Sequence, residues 1–357
     1  MPRLMHRWDT EMDGPAAPET WTAGYLISRN PLILWAPSST QQPLGPAPLM
    51  FPGDRRVWTL ISPSWNRERP GDVLEDLENI RRARSTHPEH RYVYLVASRR
   101  ELENYRAAGV PAIVCMSNAL VNETIFDIVP GATRRFDAIY NAAFAPYKRQ
   151  ELACRIESLA LIHHRYEYFL KENREYVERS RALLAHATFL NEIDGKYRLF
   201  GASEVAAWLQ QAHVGLCLSE AEGPMRACVE YLLCGLPVVS TPSIGGRDRL
   251  LDPAYAIICE AKPEAVAAAV MEMKRRKLDP ELIRRSVCDK LKPDRIRMIQ
   301  LIERIFAEET EQFPARADWI QLFRRGTWPI KTVDKLMNET AVAETIVPDS
   351  SALKSRA

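Results

Sequence analysis

Apolar positions along the chain fall into two recurring patterns. Short runs of strand length occur at residues 32–36, 57–61, 92–96 and 112–116. Between them the spacing turns helical: Val73, Leu74, Leu77, Ile80 and Ala83 lie three and four apart and predict a helix over 71–84, and a second passes through Leu102 and Tyr105. Pro31, Pro37, Pro43, Pro46, Pro48 and Pro52 crowd the segment around the first run, which leaves room there only for short strands and loops. Strands alternating with helices predict a parallel sheet with covering helices. Residues 1–30 are polar and aperiodic and read as a loosely packed arm.

The same alternation starts again near Arg134. Strands are expected at 136–140, 187–190, 212–218, 237–240 and 256–259, with a long helix from about Arg149 through Tyr166 to Leu183. A helix capped by Ser203 precedes the third of these runs, 212–218, which is nearly continuous, as in strands buried on both faces. Helices follow at 224–234, 263–277, 280–291 and 293–309. After Pro314 one aromatic patch (Trp319, Phe323, Trp328) stands in an otherwise polar stretch.

Composition narrows the class. The 48 Lys and Arg against 46 Asp and Glu leave a formal charge of +2, which rules out a strongly electrostatic nucleic-acid binder. No stretch approaches the roughly 18 consecutive apolar residues of a membrane span, and no signal-length apolar run follows the first residues. These features give an expectation of a cytoplasmic protein, with peripheral membrane contact left open. The seven cysteines are scattered and form no Cys-x-x-Cys pair, and the seven histidines lack ligand spacing, so neither a disulfide framework nor a metal site is expected.

The densest chemistry lies between Leu218 and Thr241. A strand ends at Leu218 and delivers Ser219, Glu220 and Glu222 into the loop at its carboxyl end. Gly223-Pro224 then opens a helix whose first N–H groups, at Met225, Arg226 and Ala227, could meet an anion or sugar hydroxyls. Glu230 sits farther along that helix among Cys228, Val229, Leu232, Leu233 and Cys234. A carboxylate there is costly to bury without partners. It either turns to solvent or pairs with a nearby arginine, or it accepts hydrogen bonds from a ligand diol such as ribose.

Glu222 and Glu230, followed by Gly235-Leu-Pro-Val-Val-Ser240, resemble the donor-site signature of retaining glycosyltransferases of the GT-B fold, family 4 (glycosyl transferases group 1). That pattern reads Glu-Gly-Phe-Gly, a helix bearing a second Glu, then Gly-x-Pro-Val-Val. Residues 140–149, Tyr-Asn-Ala-Ala-Phe-Ala-Pro-Tyr-Lys-Arg, are similar to the family's Gly-Arg-Leu-x-x-x-Lys-Gly element. Ala142 and Ala143 stand where that element has its glycine and arginine. Gly245-Gly246 is similar to the family's Gly-Gly turn, with Asp248 near the place of its Glu. Asn118-Ala119 and Phe126 are similar to its linker between domains. The likeness covers roughly residues 110–310 and is poor before them.

The resemblance implies an α/β protein of GT-B fold, with two doubly wound Rossmann-like domains facing a cleft and a reduced amino-terminal one. The expected division is an acceptor-side domain over 1–133, a donor domain over 134–312, a segment over 313–337 packing back on the first domain, and a disordered tail over 338–357. Lys148 and Glu222 would be catalytic, the lysine on the leaving diphosphate and the glutamate on the transferred sugar. Gly223, Met225, Arg226, Ala227 and Glu230 would hold the nucleotide sugar, with Arg149 as a second positive charge. Ser64 and Asn118 are the acceptor-side candidates. The implied activity is transfer of a hexosyl group from a nucleotide-diphosphate sugar, a substrate rather than a cofactor, with retention and without a metal. The acceptor stays open among glycan, lipid-linked glycan, small molecule and protein. Two other readings stay open: a non-catalytic nucleotide-sugar-binding module, and a nucleotide-sugar epimerase of the same fold.

Overall fold

The computed structural model describes residues 21–39, 41–164, 173–310, 323 and 330–341. The chain divides into two compact units, Met1–Leu120 with Pro293–Ala357, and Val121–Lys292. Both are α/β and Rossmann-like, each built on a largely or wholly parallel sheet.

In unit 1 the strands are β1 (Trp21–Ala23), β2 (Tyr25–Arg29), β3 (Leu32–Pro37), β4 (Val57–Ser62), β5 (His90–Val96) and β6 (Ala112–Val114). The helices among them are α1 (Ala47–Met50), α2 (Pro70–Thr86) and α3 (Arg99–Ala107). The main sheet runs β2-β3-β4-β5-β6, with only β2 antiparallel. Successive side chains of a strand point to opposite faces. Thus Ile33, Trp35, Trp58, Leu60, Val93 and Leu95 share one core, and Ile61, Tyr92, Tyr94 and Val96 share another with Val73, Ile80, Leu102 and Tyr105 of α2 and α3. The arm expected over 1–30 is therefore strand from Trp21 onward: Tyr25, Leu26 and Ile27 are buried, and β2 pairs with β3.

Unit 2 holds β7 (Phe136–Ala143), β8 (Leu159–His164), α4 (Arg174–Leu183), β9 (Thr188–Phe189), the small hairpin β10 (Glu192–Ile193) and β11 (Lys196–Tyr197), and α5 (Ala202–Leu209). Then come β12 (Ala212–Cys217), α6 (Arg226–Leu233), β13 (Val238–Ser240), β14 (Ala256–Ile258) and α7 (Pro263–Arg275). The sheet order is β14-β13-β12-β7-β8-β9, and every pair is parallel.

The helix expected from Arg149 to Leu183 does not form. Pro146 opens a short 3-10 turn, Arg149 takes the left-handed conformation (φ 52°, ψ 49°), and Leu159–His164 becomes β8. Leu159-Ala-Leu-Ile162 is a continuous apolar run, and periodicity alone does not separate such a run from a buried helix segment. Two smaller differences follow local chemistry. Gly201, not Ser203, caps α5, its N–H donating to the Glu204 carboxylate at 3.0 Å. The helices expected over 280–291 and 293–309 are one helix, α8 (Pro280–Glu309), running through Pro293.

Pro293 also marks the division between units, so the second unit ends at Lys292 rather than 312, and it begins at Val121 rather than 134. The physical reason is packing. Met298, Leu301, Ile302, Ile305 and Phe306 of α8 bury against Trp35, Trp58 and Leu95, and the buried Asp294 accepts from the Met116 N–H at 3.1 Å. Phe323 joins the same core. Farther on, β15 (Ile330–Thr332) pairs antiparallel with β1, and α9 (Val333–Ala341) buries Leu336 beside Leu26 and Leu34. Trp319 and Trp328 lie outside the described residues, as does the expected tail beyond Ala341; α9 occupies its first four positions. No helix among the described residues is long and apolar enough to cross a membrane.

Candidate functional site

The strand order of unit 2 fixes where a ligand site belongs. From β7 the chain moves outward to β8 and β9, then returns across the sheet to place β12 on the other side of β7 and continues to β13 and β14. The winding direction therefore reverses between β7 and β12. In open parallel sheets the crevice outside the carboxyl ends of the strands at such a reversal is the ligand position. The loops leaving these two strands carry Lys148 and Glu222.

Those side chains meet. Lys148 Nζ donates to Glu222 Oε2 in an ion pair whose side chains are 9% and 14% exposed. The lysine is held from below, where the Tyr140 hydroxyl donates to its carbonyl at 2.6 Å. The glutamate is held by its backbone: Glu222 N–H donates to Ile244 O at 2.9 Å, and Ile244 N–H returns to Glu220 O at 3.1 Å. Glu220 N–H donates to Tyr147 O at 3.1 Å, which ties the two loops to each other.

The helix after this loop starts later than Pro224 suggests. Met225 is the cap, with non-helical ψ 113°, so α6 begins at Arg226 and its unpaired N–H groups run from Arg226 rather than from Met225. Glu230 is then one turn in. The residue is 4% exposed and each carboxylate oxygen accepts one hydrogen bond: Arg226 Nε donates to Oε1 at 2.6 Å and Asn141 Nδ2 to Oε2 at 3.3 Å. Burial pushes its carboxyl above the usual range, and the arginine and asparagine only partly offset that. Of the alternatives left open by sequence, the side chain does not turn to solvent: it pairs with an arginine one turn away, at the carboxyl edge of the sheet, and that pairing leaves the carboxylate further lone pairs to accept with.

Two glycines set the pose of α6. The Tyr231 ring lies on β12 where a Cβ on Gly215 would stand 2.4 Å from two ring carbons, and its hydroxyl accepts from the Asn141 N–H at 2.6 Å. At the far end Gly235 takes φ +69°, and a Cβ there would meet Pro280 at 2.5 Å. A left-handed glycine just past a helix is the usual stop.

The expected residues separate into two groups. Lys148, Glu222, Gly223, Met225, Arg226, Ala227 and Glu230 gather on the β7 and β12 loops and α6. Arg149 lies beside them but is held by one carbonyl and one hydroxyl: Nε donates to Leu218 O at 2.7 Å and Nη2 to Thr241 Oγ1 at 2.8 Å. Ser64 and Asn118 belong to unit 1. Ser64 follows β4, where its N–H donates to Ser38 Oγ at 3.2 Å, and Asn118 is buried in a 3-10 turn over Ser117–Leu120.

Two residues here escaped the sequence reading. His164 ends β8 in register with Ala143. Burial, then the charges of Lys148 and Arg226, push its imidazole down to about 4, so it is neutral at pH 7. Its signal, a histidine at the carboxyl end of an apolar run, was hidden once that run was read as helix. Arg247 is wholly buried beneath the β12 loop. It lies between the noted Gly245-Gly246 and Asp248, and nothing in the sequence distinguishes it from a surface arginine. Among the described residues no group of three or more His, Cys, Asp and Glu is arranged to hold a metal ion. All seven cysteines are thiols.

The sequence model of the family described as glycosyl transferases group 1 matches residues 171–275, within unit 2. No curated protein sequence matches the chain. Among solved structures it is similar to sucrose-phosphate synthase from Thermosynechococcus elongatus, with TM-score 0.49 and 17% identity over 71% of this chain and 69% of that one. A glycosyltransferase from Rickettsia africae gives 0.48 and 13% over 70% and 71%. HepE of Anabaena, in complex with UDP and glucose, gives 0.39 and 13% over 65% and 77%.

Proposed function

We propose that the chain is a GT-B glycosyltransferase that takes a nucleotide-diphosphate sugar at the reversal point of unit 2. The observation that carries this reading is the Lys148–Glu222 pair, one residue from each of the two loops that flank the reversal. The match to the glycosyl transferases group 1 model spans β12, α6 and β13 and supports it. In this reading Glu230, with Arg226 and Asn141, receives the ribose diol. The backbone around Gly223, Met225, Arg226 and Ala227 meets sugar and diphosphate.

Lys148 and Glu222 are the catalytic pair. Negative charge grows on the diphosphate as the glycosidic bond breaks, so an ammonium fixed beside it stabilises the transition state more than the bound donor. Glu222 is the lysine's partner until the donor enters, and then faces the transferred hexose. Retention of configuration and independence from a metal belong to the same proposal. Unit 1 would supply the acceptor side, with Ser64 and Asn118 as candidates.

One feature favours a second reading, a non-catalytic binding module: the buried Ala143 stands where the family element has an arginine. Incubation with UDP-, GDP- and ADP-sugars separates the two, since a working site hydrolyses its donor slowly without an acceptor. Release of free sugar with retained anomeric configuration is expected for one nucleotide. An epimerised donor would instead identify an epimerase, and nucleotide binding with no turnover would identify the module.

A further inference from the structure

Four backbone carbonyls at the carboxyl edge of β12 and β13 converge on two guanidinium groups. Arg247, 0% exposed, donates from Nη1 to Cys217 O at 3.1 Å and Ser219 O at 2.8 Å, and from Nη2 to Thr241 O at 2.6 Å. Its Nη1 also reaches Ser219 Oγ at 3.3 Å, and its Nε donates to Asp248 Oδ1 at 2.7 Å. Arg149 takes the carbonyl between, Leu218 O, and the Thr241 hydroxyl. The two arginines therefore hold 217, 218 and 219 in succession and share Thr241, one on its carbonyl and one on its side chain.

Such a bundle needs a cause. A strand end in a parallel sheet can turn its carbonyls to water, whereas burying a charged side chain to satisfy them is costly unless the geometry is fixed. The arginine fork presents five donors in one plane, so each guanidinium sets several acceptors at once. Arg149 adds strain: it is one of only three non-glycine residues with positive φ among those described. A left-handed non-glycine residue is costly and persists where surrounding contacts determine it. The left-handed kink lies just after Lys148, between two 3-10 turns, and lets neighbouring cations serve different targets: Lys148 the Glu222 carboxylate, Arg149 the carbonyl four residues before Glu222.

We infer that Arg149 and Arg247 are a pair of positioning residues that lock the 217–222 loop, so that Glu222 and Lys148 stand at a fixed separation. Arg149 is accordingly not a ligand of the donor, the role its place beside Lys148 suggests. The inference rests on the proposed donor site for its functional consequence but not for the lock itself.

Arg149→Gly is the decisive variant, because glycine adopts the left-handed conformation without strain and so removes the side chain without forcing the backbone out of it. Arg247→Lys keeps the charge and loses the fork. Donor hydrolysis at saturation should fall roughly tenfold or more in each, as misplacement by an ångström commonly costs about a hundredfold. The dissociation constant of the matching nucleoside diphosphate, by calorimetry, should move less than about threefold. Added guanidinium should restore turnover to Arg149→Gly. Amide exchange in a 217–225 peptide should speed up in both variants while peptides of β7 and α7 stay unchanged. A parallel loss of nucleotide affinity in Arg149→Gly would make Arg149 a donor ligand and overturn the inference. Unchanged exchange and turnover would overturn it also. If the wild type neither binds nucleotide nor hydrolyses any donor, the proposed function fails, and the exchange experiment still decides whether the lock exists.

Discussion

The two units are made from the same strand–helix grammar and differ in one topological decision. In unit 1 the strands follow one another across the sheet in chain order from β2 to β6. Right-handed crossovers that always step the same way put their helices on one face, which is where α2 and α3 lie, and α8 covers the other. Among the described residues no two neighbouring strands of its main sheet send their following connections apart. In unit 2 the step reverses at β7 and β12, and the loops that part there carry the ionisable pair. Fold class was shared by both units; the reversal, a property of strand order, belongs to unit 2 alone among the described strands.

The buried charges differ accordingly. In unit 1 Asp76 is 1% exposed and accepts from Arg67 Nε at 3.0 Å and from the Tyr105 hydroxyl. Arg67 is tied further through its N–H to Glu101 at 2.7 Å and its carbonyl to Asn104 at 2.9 Å. This closed network fastens the loop after β4 to α2 and α3. In unit 2 the charges of Lys148, Glu222 and Arg226 gather instead where the sheet ends.

Asp76→Ala should therefore produce the largest loss of stability and the least change in ligand binding. It leaves Arg67 without its counter-ion and Tyr105 without its acceptor, and breaking a buried pair commonly costs about 3–5 kcal/mol. Denaturant unfolding should show that loss, while nucleotide affinity of the folded fraction stays the same. A change in affinity would contradict the purely structural assignment of this network.

Lys148→Ala tests the other side of the comparison. Removing one preorganised electrostatic contact costs on the order of 10²–10³ in turnover, measured at saturating donor. Part of the lysine's charge also helps ground-state binding, so some rise in KM is allowed. Near-normal turnover at saturation would mean that Lys148 merely holds the donor.

Acid should weaken the protein partly through His164. Its folded pKa, about 4, lies below the ordinary 6.5, so the unfolded chain takes up the proton first. Its contribution is complete above pH 6.5 and is lost as pH falls to about 4, amounting to about 3 kcal/mol at most. His90 and His213 shift in the same direction. The readout is thus the difference between wild type and His164→Gln, whose stability should fall less steeply through that window. Superimposable profiles would show that His164 does not titrate there.

How much of this was legible follows from the residues. Strands β3 to β6 of unit 1 were readable because Pro, Gly and polar residues bracket each apolar run, and the β12–α6–β13 segment because Gly235 and the two glutamates keep characteristic spacing. β8 was not, since Leu159-Ala-Leu-Ile162 sits among strong helix formers and only its two parallel partners, β7 and β9, select the strand. The Lys148–Glu222 ion pair was invisible for a different reason. Lys148 and Glu222 are 74 residues apart in the chain, and their meeting depends on the reversal, which periodicity does not encode. Arg226 and Glu230 are four apart on one helix, a spacing that places them together on sequence grounds alone.

The most direct test of the donor site is calorimetric titration of nucleoside diphosphates into the wild type and Glu230→Ala. Glu230 is buried at the head of α6 with its oxygens already oriented by Arg226 and Asn141, an arrangement suited to accepting two ribose hydroxyls. Charge-assisted hydrogen bonds contribute about 1.5–3 kcal/mol, so the affinity of the nucleotide that binds should fall roughly tenfold to a hundredfold. Circular dichroism of the variant establishes that it is folded. An unchanged dissociation constant in folded Glu230→Ala would contradict the assignment of this helix to a nucleotide sugar.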